Sequence, residues 1–285
     1  MLMAANEEIR AGRSEDGRPP ENHRHRLAVL PYLAARPLIE GLDASAEVEL
    51  IRSSSADMPR WLASDTAELA MLSPVDLQRF ARPLVILPAG CIASDGPTML
   101  VRLFSRVPPE DIQAVWTDPA SHSTMGLAEV LWSMKYHRHL RTVPLATHLS
   151  DLPADAEAIL LTGDCVVADP PLGFDYQIDL GAMWQRLTGL PFVFAVWAAT
   201  ELAHAELLNE LLLDARELGR KRLGEIAQRY GPAYGWPVDL ARRELTQHLS
   251  YELTDEHLEG LQEFFDLAKT AGVIDSARPI QVVTP

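Results

Sequence analysis

The run DLGAMWQRLTGLPFVFAVW, residues 179–197, restricts the fold of this chain more than any other stretch. Asp179 is placed to cap a short helix, because its side-chain oxygen accepts N–H groups that a first turn leaves unbonded. Thr188-Gly189-Leu190-Pro191 then breaks that helix, glycine by tolerating left-handed backbone and proline by lacking an N–H. Residues 192–197 form an unbroken aromatic and β-branched run, too short for a helix and suited to a buried strand. Such a strand, entered from polar chain, is expected where a polypeptide returns from one lobe to another. An ordinary core strand preceded by a turn fits the same residues.

Alternation of short apolar runs with helix starts extends on both sides of it. Strands are expected at residues 27–30, 48–52, 68–72, 84–87 and 91–93. A helix is expected at 58–63. Ser73-Pro74 is the clearest helix start, with Ser as cap and Pro as first helical residue. Residues 98–104 read as a strand that leads outward and ends at Ser105. Beyond it come a strand at 112–117, a helix at 125–136 and a strand at 158–162. After the return, helices are expected at 200–218, 220–230, 239–249 and 254–271. The last has Thr254 as cap, Asp255 and Glu256 in its first turn, Lys269 in its last turn and Gly272 as stop. The pattern predicts a two-lobed α/β protein. Lobe 1 would comprise residues 27–105 with 191–285, and lobe 2 residues 106–190.

A chain of 285 residues with 47% hydrophobic residues can bury a substantial core in such an arrangement. Its net charge of −15 opposes nucleic acid or an anionic membrane as partner, yet leaves room for a small anion held by local donors. Cys91 and Cys165 are too few for a disulfide framework and fit a reducing compartment. No apolar run reaches the length of a membrane span. Residues 1–26 mix both charges with Gly17 and Pro19-Pro20 and lack an apolar core, which predicts a disordered leader rather than a secretory signal. The expectation is a cytoplasmic monomer or homodimer.

Hydroxyl side chains gather at strand-to-helix junctions: Ser53-Ser54-Ser55, Ser73, and Ser121 with Ser123 and Thr124. Helix N-termini bind carboxylates through free N–H groups, and open α/β sheets bind ligands at the carboxyl ends of their strands. A serine before a helix is more often only a cap, so convergence of several from both lobes is what would mark a site. Asp164, at the end of an apolar strand, is either a turn-former or a site residue with a tuned pKa. Arg36 and Arg102 could each hold an anion bidentately or be edge charges. His137 and His139 do not share a helix face, so they form no metal pair. Neither a G-x-S-x-G elbow nor any G-x-G-x-x-G, P-loop or zinc spacing occurs, and nucleotide-cofactor chemistry is not expected.

Five segments carry a family resemblance. Tyr32 to Leu38 is similar to a Y/F-L-N-x-x-P-L motif, and Asp95 to Leu100 to D-G-P-V-M-S. Ser121 to Thr124 resembles an S-R-T-S helix start, and Gly163-Asp164 the end of I-G-D. The run 179–197 is nearly identical to family members. By these the chain resembles the MqnA-type chorismate dehydratases of menaquinone biosynthesis, over about residues 27–274. The related 1,4-dihydroxy-6-naphthoate synthases match that run less closely. The resemblance implies a type II periplasmic-binding-protein fold with ligand between the lobes. It implies a hydro-lyase that converts chorismate to 3-[(1-carboxyvinyl)oxy]benzoate in the futalosine route, with neither metal nor organic cofactor.

Together these readings give a substrate-contact set of Tyr32, Ala34, Arg36, Ser55, Ser73, Thr98, Leu100, Arg102, Ser121, Ser123, Thr124 and Asp164. Two members depart from the motifs, Ala34 standing for Asn and Leu100 for Ser. Thr98 and Arg102 would share a strand face with Leu100 and take over its polar contacts. A paralogue that binds a small carboxylate without turnover is the alternative these departures leave open.

Overall fold

The computed structural model describes residues 24–145 and 152–283. Of the leader expected over 1–26, residues 1–23 lie outside the described residues, whereas His25 and Arg26 already belong to the first strand. The strands are β1 His25–Val29, β2 Val48–Arg52, β3 Leu69–Leu72, β4 Val85–Ser94 and β5 Val101–Ser105. They continue with β6 Ala114–Thr117, β7 Arg141–Pro144, β8 Ala158–Thr162, β9 Tyr176–Asp179, β10 Phe192–Ala199 and β11 Leu249–Ser250. The helices are α1 Met58–Ala63, α2 Pro74–Arg79, α3 His122–Tyr136, α4 Cys165–Ala168 and α5 Leu180–Thr188. Then follow α6 Leu202–Lys221, α7 Leu223–Tyr230, α8 Val238–Arg243 and α9 Asp255–Thr270.

Two sheets result, a six-stranded one in the order β11-β4-β10-β3-β1-β2 and a five-stranded one in the order β7-β6-β8-β5-β9. They repeat one plan. In each, a first strand pairs in parallel with its two successors, β1 with β2 and β3, and β6 with β7 and β8. An antiparallel strand then closes onto the third, β10 onto β3 and β5 onto β8. Both antiparallel strands are the ones by which the chain enters or re-enters a sheet, so the architecture is two-lobed.

Residues 179–197 form the expected helix, break and strand. Asp179 Oδ1 accepts the Ala182 N–H at 2.9 Å and caps α5, and Gly189 ends that helix at φ 78°. β10 lies between β3 and β4 with Phe192, Val193, Val196 and Trp197 buried. Edge-to-face contacts of Phe192 with Trp184 and Phe264 tie the strand to α5 and α9.

Three elements depart from expectation. The outward strand starts at Val101 and pairs within the second sheet, because Thr98 and Met99 bend toward Glu244 before it begins. Residues 84–87 and 91–93 merge into the single strand β4. The helix expected at 239–249 stops at Arg243 and continues as a π turn over Glu244–His248. The wider turn sets the Glu244 carboxylate against Met99 N, which lies 3.1 Å from both of its oxygens. Among the described residues no helix is long and apolar enough to cross a membrane.

Candidate functional site

At the carboxyl ends of β1, β2, β3, β6 and β8 the two lobes enclose a cavity of about 670 Å³, mouth included. Tyr32, Ala34, Ser55, Ser73, Leu100, Ser121, Ser123 and Thr124 all line it. Ser55 and Ser73 come from one lobe, Ser121 to Thr124 from the other. Aromatic and aliphatic side chains of Leu30, Ile92, Phe192 and Phe194 complete the wall.

Local hydrogen bonds decide which hydroxyls remain for a ligand. Ser53 and Ser54 both donate to Asp57 Oδ2, at 3.2 and 2.9 Å, and Ser55 alone of that triplet lines the cavity. Ser73 Oγ donates to Asp76 Oδ2 at 2.6 Å, and Ser123 Oγ accepts the Val75 N–H at 2.8 Å. The helix begins at His122 rather than 125, so Ser121 is its N-cap, and it makes no side-chain cap bond. That leaves N–H groups of the first turn of α3 available to an anion. His122 points the other way and bonds Asp76 Oδ1 through Nδ1 at 2.8 Å, which raises its pKa above the ordinary value.

The remaining members of the expected set are held elsewhere. Arg36 is buried in the 3₁₀ turn Leu33–Ile39, paired with Asp43 at 3.1 Å and stacked on Tyr230. Thr98 donates its hydroxyl to buried Glu244 at 2.6 Å. Arg102, on β5, faces Asp179 at 3.8 Å and Gln177 at 3.5 Å on the neighbouring edge strand β9 of the second sheet. Residues 98–100 precede the strand, so Thr98, Leu100 and Arg102 share no face, and of the three only Leu100 lines the cavity.

Asp164 sits beside the cavity and joins its two walls. Its Oδ1 accepts the Trp236 indole N–H at 2.7 Å, and Leu33 N approaches its Oδ2 at 3.2 Å. Burial pushes its pKa up to about 6, with both donors opposing the shift. Next to it the Tyr32 ring packs against Gly163, where a Cβ would lie 2.8 Å from Cε1. Burial pushes the Tyr32 phenol up to about 12, so it remains protonated at neutral pH.

Thr162 escaped the sequence reading. It lines the cavity, and its Oγ1 is buried without a hydrogen-bond partner among the described residues. A hydroxyl at a strand end is an ordinary sequence feature, and only the missing partner distinguishes it. Among the described residues no lining side chain carries a formal charge, so the cavity offers hydroxyls and backbone N–H groups against an apolar wall.

A family model described as menaquinone biosynthesis matches residues 25–270. Among solved structures, a protein of Archaeoglobus fulgidus is similar at TM-score 0.73 and 15% identity, over 90% of this chain and all of its own. A Candida albicans protein described as having the generic periplasmic binding protein fold is similar at TM-score 0.64 and 12% identity, over 90% and 92% of the two chains. The alkanesulfonate-binding protein of Xanthomonas axonopodis pv. citri, bound to MOPS, follows at TM-score 0.62 and 10% identity, over 90% and 96%. At such identities these likenesses show the fold, a periplasmic-binding-protein-like one with its ligand cleft between lobes.

Proposed function

This chain belongs to the menaquinone biosynthesis family, and on that premise we propose that it is a chorismate dehydratase acting in the cytoplasm. The observation that carries the reading is the convergence of hydroxyls from both lobes on one largely apolar cavity. Loss of water from chorismate takes a proton from one ring carbon and the hydroxyl from its neighbour, and the third double bond completes a benzene ring. Aromatisation supplies the driving force. The protein therefore has to hold two carboxylates, align the departing groups and keep bulk water out.

The residues fit those tasks. The first turn of α3 with Ser121, Ser123 and Thr124 receives a carboxylate, and Ser55 and Thr162 stand within the same cavity for further polar contacts. Ala34 and Leu100 form part of the apolar wall against which the ring packs. Neither bonds the substrate, so the polar work at those two positions passes to the neighbouring hydroxyls.

The test is purified protein with chorismate, followed by chromatography for 3-[(1-carboxyvinyl)oxy]benzoate beside a heat-killed control, since chorismate decays unaided. Product above the control is expected. Chorismate that raises the melting temperature without product would overturn the reading in favour of a binding protein.

A further inference from the structure

Ser73 and Ser123 both line the cleft, yet their back sides are bonded in opposite senses. Ser73 Oγ lies 2.6 Å from Asp76 Oδ2, and the other oxygen of that buried carboxylate takes His122 Nδ1 at 2.8 Å. A carboxylate only accepts, so the single Ser73 proton is committed to Asp76 and lone pairs alone remain toward the cleft. Ser123 Oγ instead receives the Val75 main-chain N–H at 2.8 Å. An N–H only donates, so the Ser123 proton stays available to a ligand acceptor.

We infer that this fixed polarity makes Ser73 and Ser123 specificity-determining. The cleft takes a hydroxylated carboxylate, its hydroxyl donating to Ser73 and its carboxylate accepting from Ser123. Asp76 is the positioning residue, and His122 keeps it in place. A carboxylate turned toward Ser73 would meet lone pairs backed by Asp76 and is excluded. A dehydrated product has lost the hydroxyl and leaves the Ser73 acceptor unpaired, which favours its release. The inference deepens the dehydratase reading and rests on it for the location of the site.

Two unreactive probes test it by calorimetry: 3-(1-carboxyethoxy)-4-hydroxybenzoate and the same compound without the ring hydroxyl. The wild type is expected to bind the hydroxylated probe at least about tenfold more tightly. In Asp76→Asn, His122 holds the amide oxygen and the amide nitrogen faces Ser73, so the Ser73 proton turns into the cleft. The preference should then fall to within about twofold or reverse, and Ser73→Ala should abolish it. Equal affinity in the wild type, no binding of either probe, or a preference that survives Asp76→Asn would overturn the inference. If Asp76→Asn fails to fold, Ser73→Ala decides, and a preference retained there overturns it too. Turnover of chorismate is scored separately. Turnover without probe preference keeps the dehydratase and removes this inference, and preference without turnover does the reverse.

Discussion

Asp164 shows how one residue can join two lobes at an electrostatic cost. Its folded-state pKa of about 6 stands above the ordinary 3.8 because burial outweighs the Trp236 and Leu33 donors. The folded protein therefore holds this proton more tightly than the unfolded chain. The stabilising contribution is complete below the unfolded pKa and is lost as pH rises through about 6. At neutral pH the buried charge costs on the order of 3 kcal/mol. Asp164→Asn keeps an oxygen for Trp236 and removes the charge. Urea melts of that variant should show about 1–2 kcal/mol more stability at neutral pH and a shallower loss of stability from mildly acidic to neutral pH. Asp179, also raised to about 6 by burial, should preserve part of the slope. Lower stability of the variant throughout would contradict that balance. Ser123→Ala should cost about 1–3 kcal/mol in the same assay, since the Val75 N–H would be left buried and unbonded. Sequence supplied Ser123 as a candidate, but its partner came from a helix in the other lobe.

Between elements, one close approach lies where the two crossing segments touch. A Cβ on Gly181 in α5 would stand 2.4 Å from Gly96 O and 3.0 Å from Ser94 Oγ. The outgoing chain and the returning chain can pass there only with glycine in that helix. Gly181→Ala is expected to destabilise by about 2–3 kcal/mol by forcing backbone apart, read as a shift of the urea midpoint. At the other end of the chain α9 follows its local signals: Thr254 accepts from His257 N and His257 returns the bond. Thr254→Ala should cost about 1 kcal/mol. Caps, breaks and long apolar runs were legible because they are local. β7, β9 and β11 were not, being edge strands of four residues or fewer without a burial period to read.

Across the whole molecule, the Asp164 bonds to Trp236 and Leu33 join the lobes beside the cleft, together with those of Ser123 to Val75 and His122 to Asp76. Trp236→Phe removes the shorter Asp164 bond and leaves the Leu33 N–H. The free variant should have a larger radius of gyration by small-angle scattering and bind the hydroxylated probe about tenfold more weakly. Unchanged scattering with unchanged affinity would show that other contacts hold the lobes. The sequence determined the two-lobed α/β plan and the returning strand at residues 192–197, and eight of the sixteen residues that line the cavity were among its candidates. Periodicity, helix caps and chain breaks act within a few residues of themselves, so a linear reading captures them. The tertiary structure alone decided that Arg36, Thr98 and Arg102 serve internal partners, that Thr162 has none among the described residues, and that Ser73 and Ser123 face the cleft with opposite polarity. A hydroxyl or guanidinium has only so many hydrogen bonds to give. The groups that claim them can stand tens of residues away in sequence, and folding brings them within 3 Å.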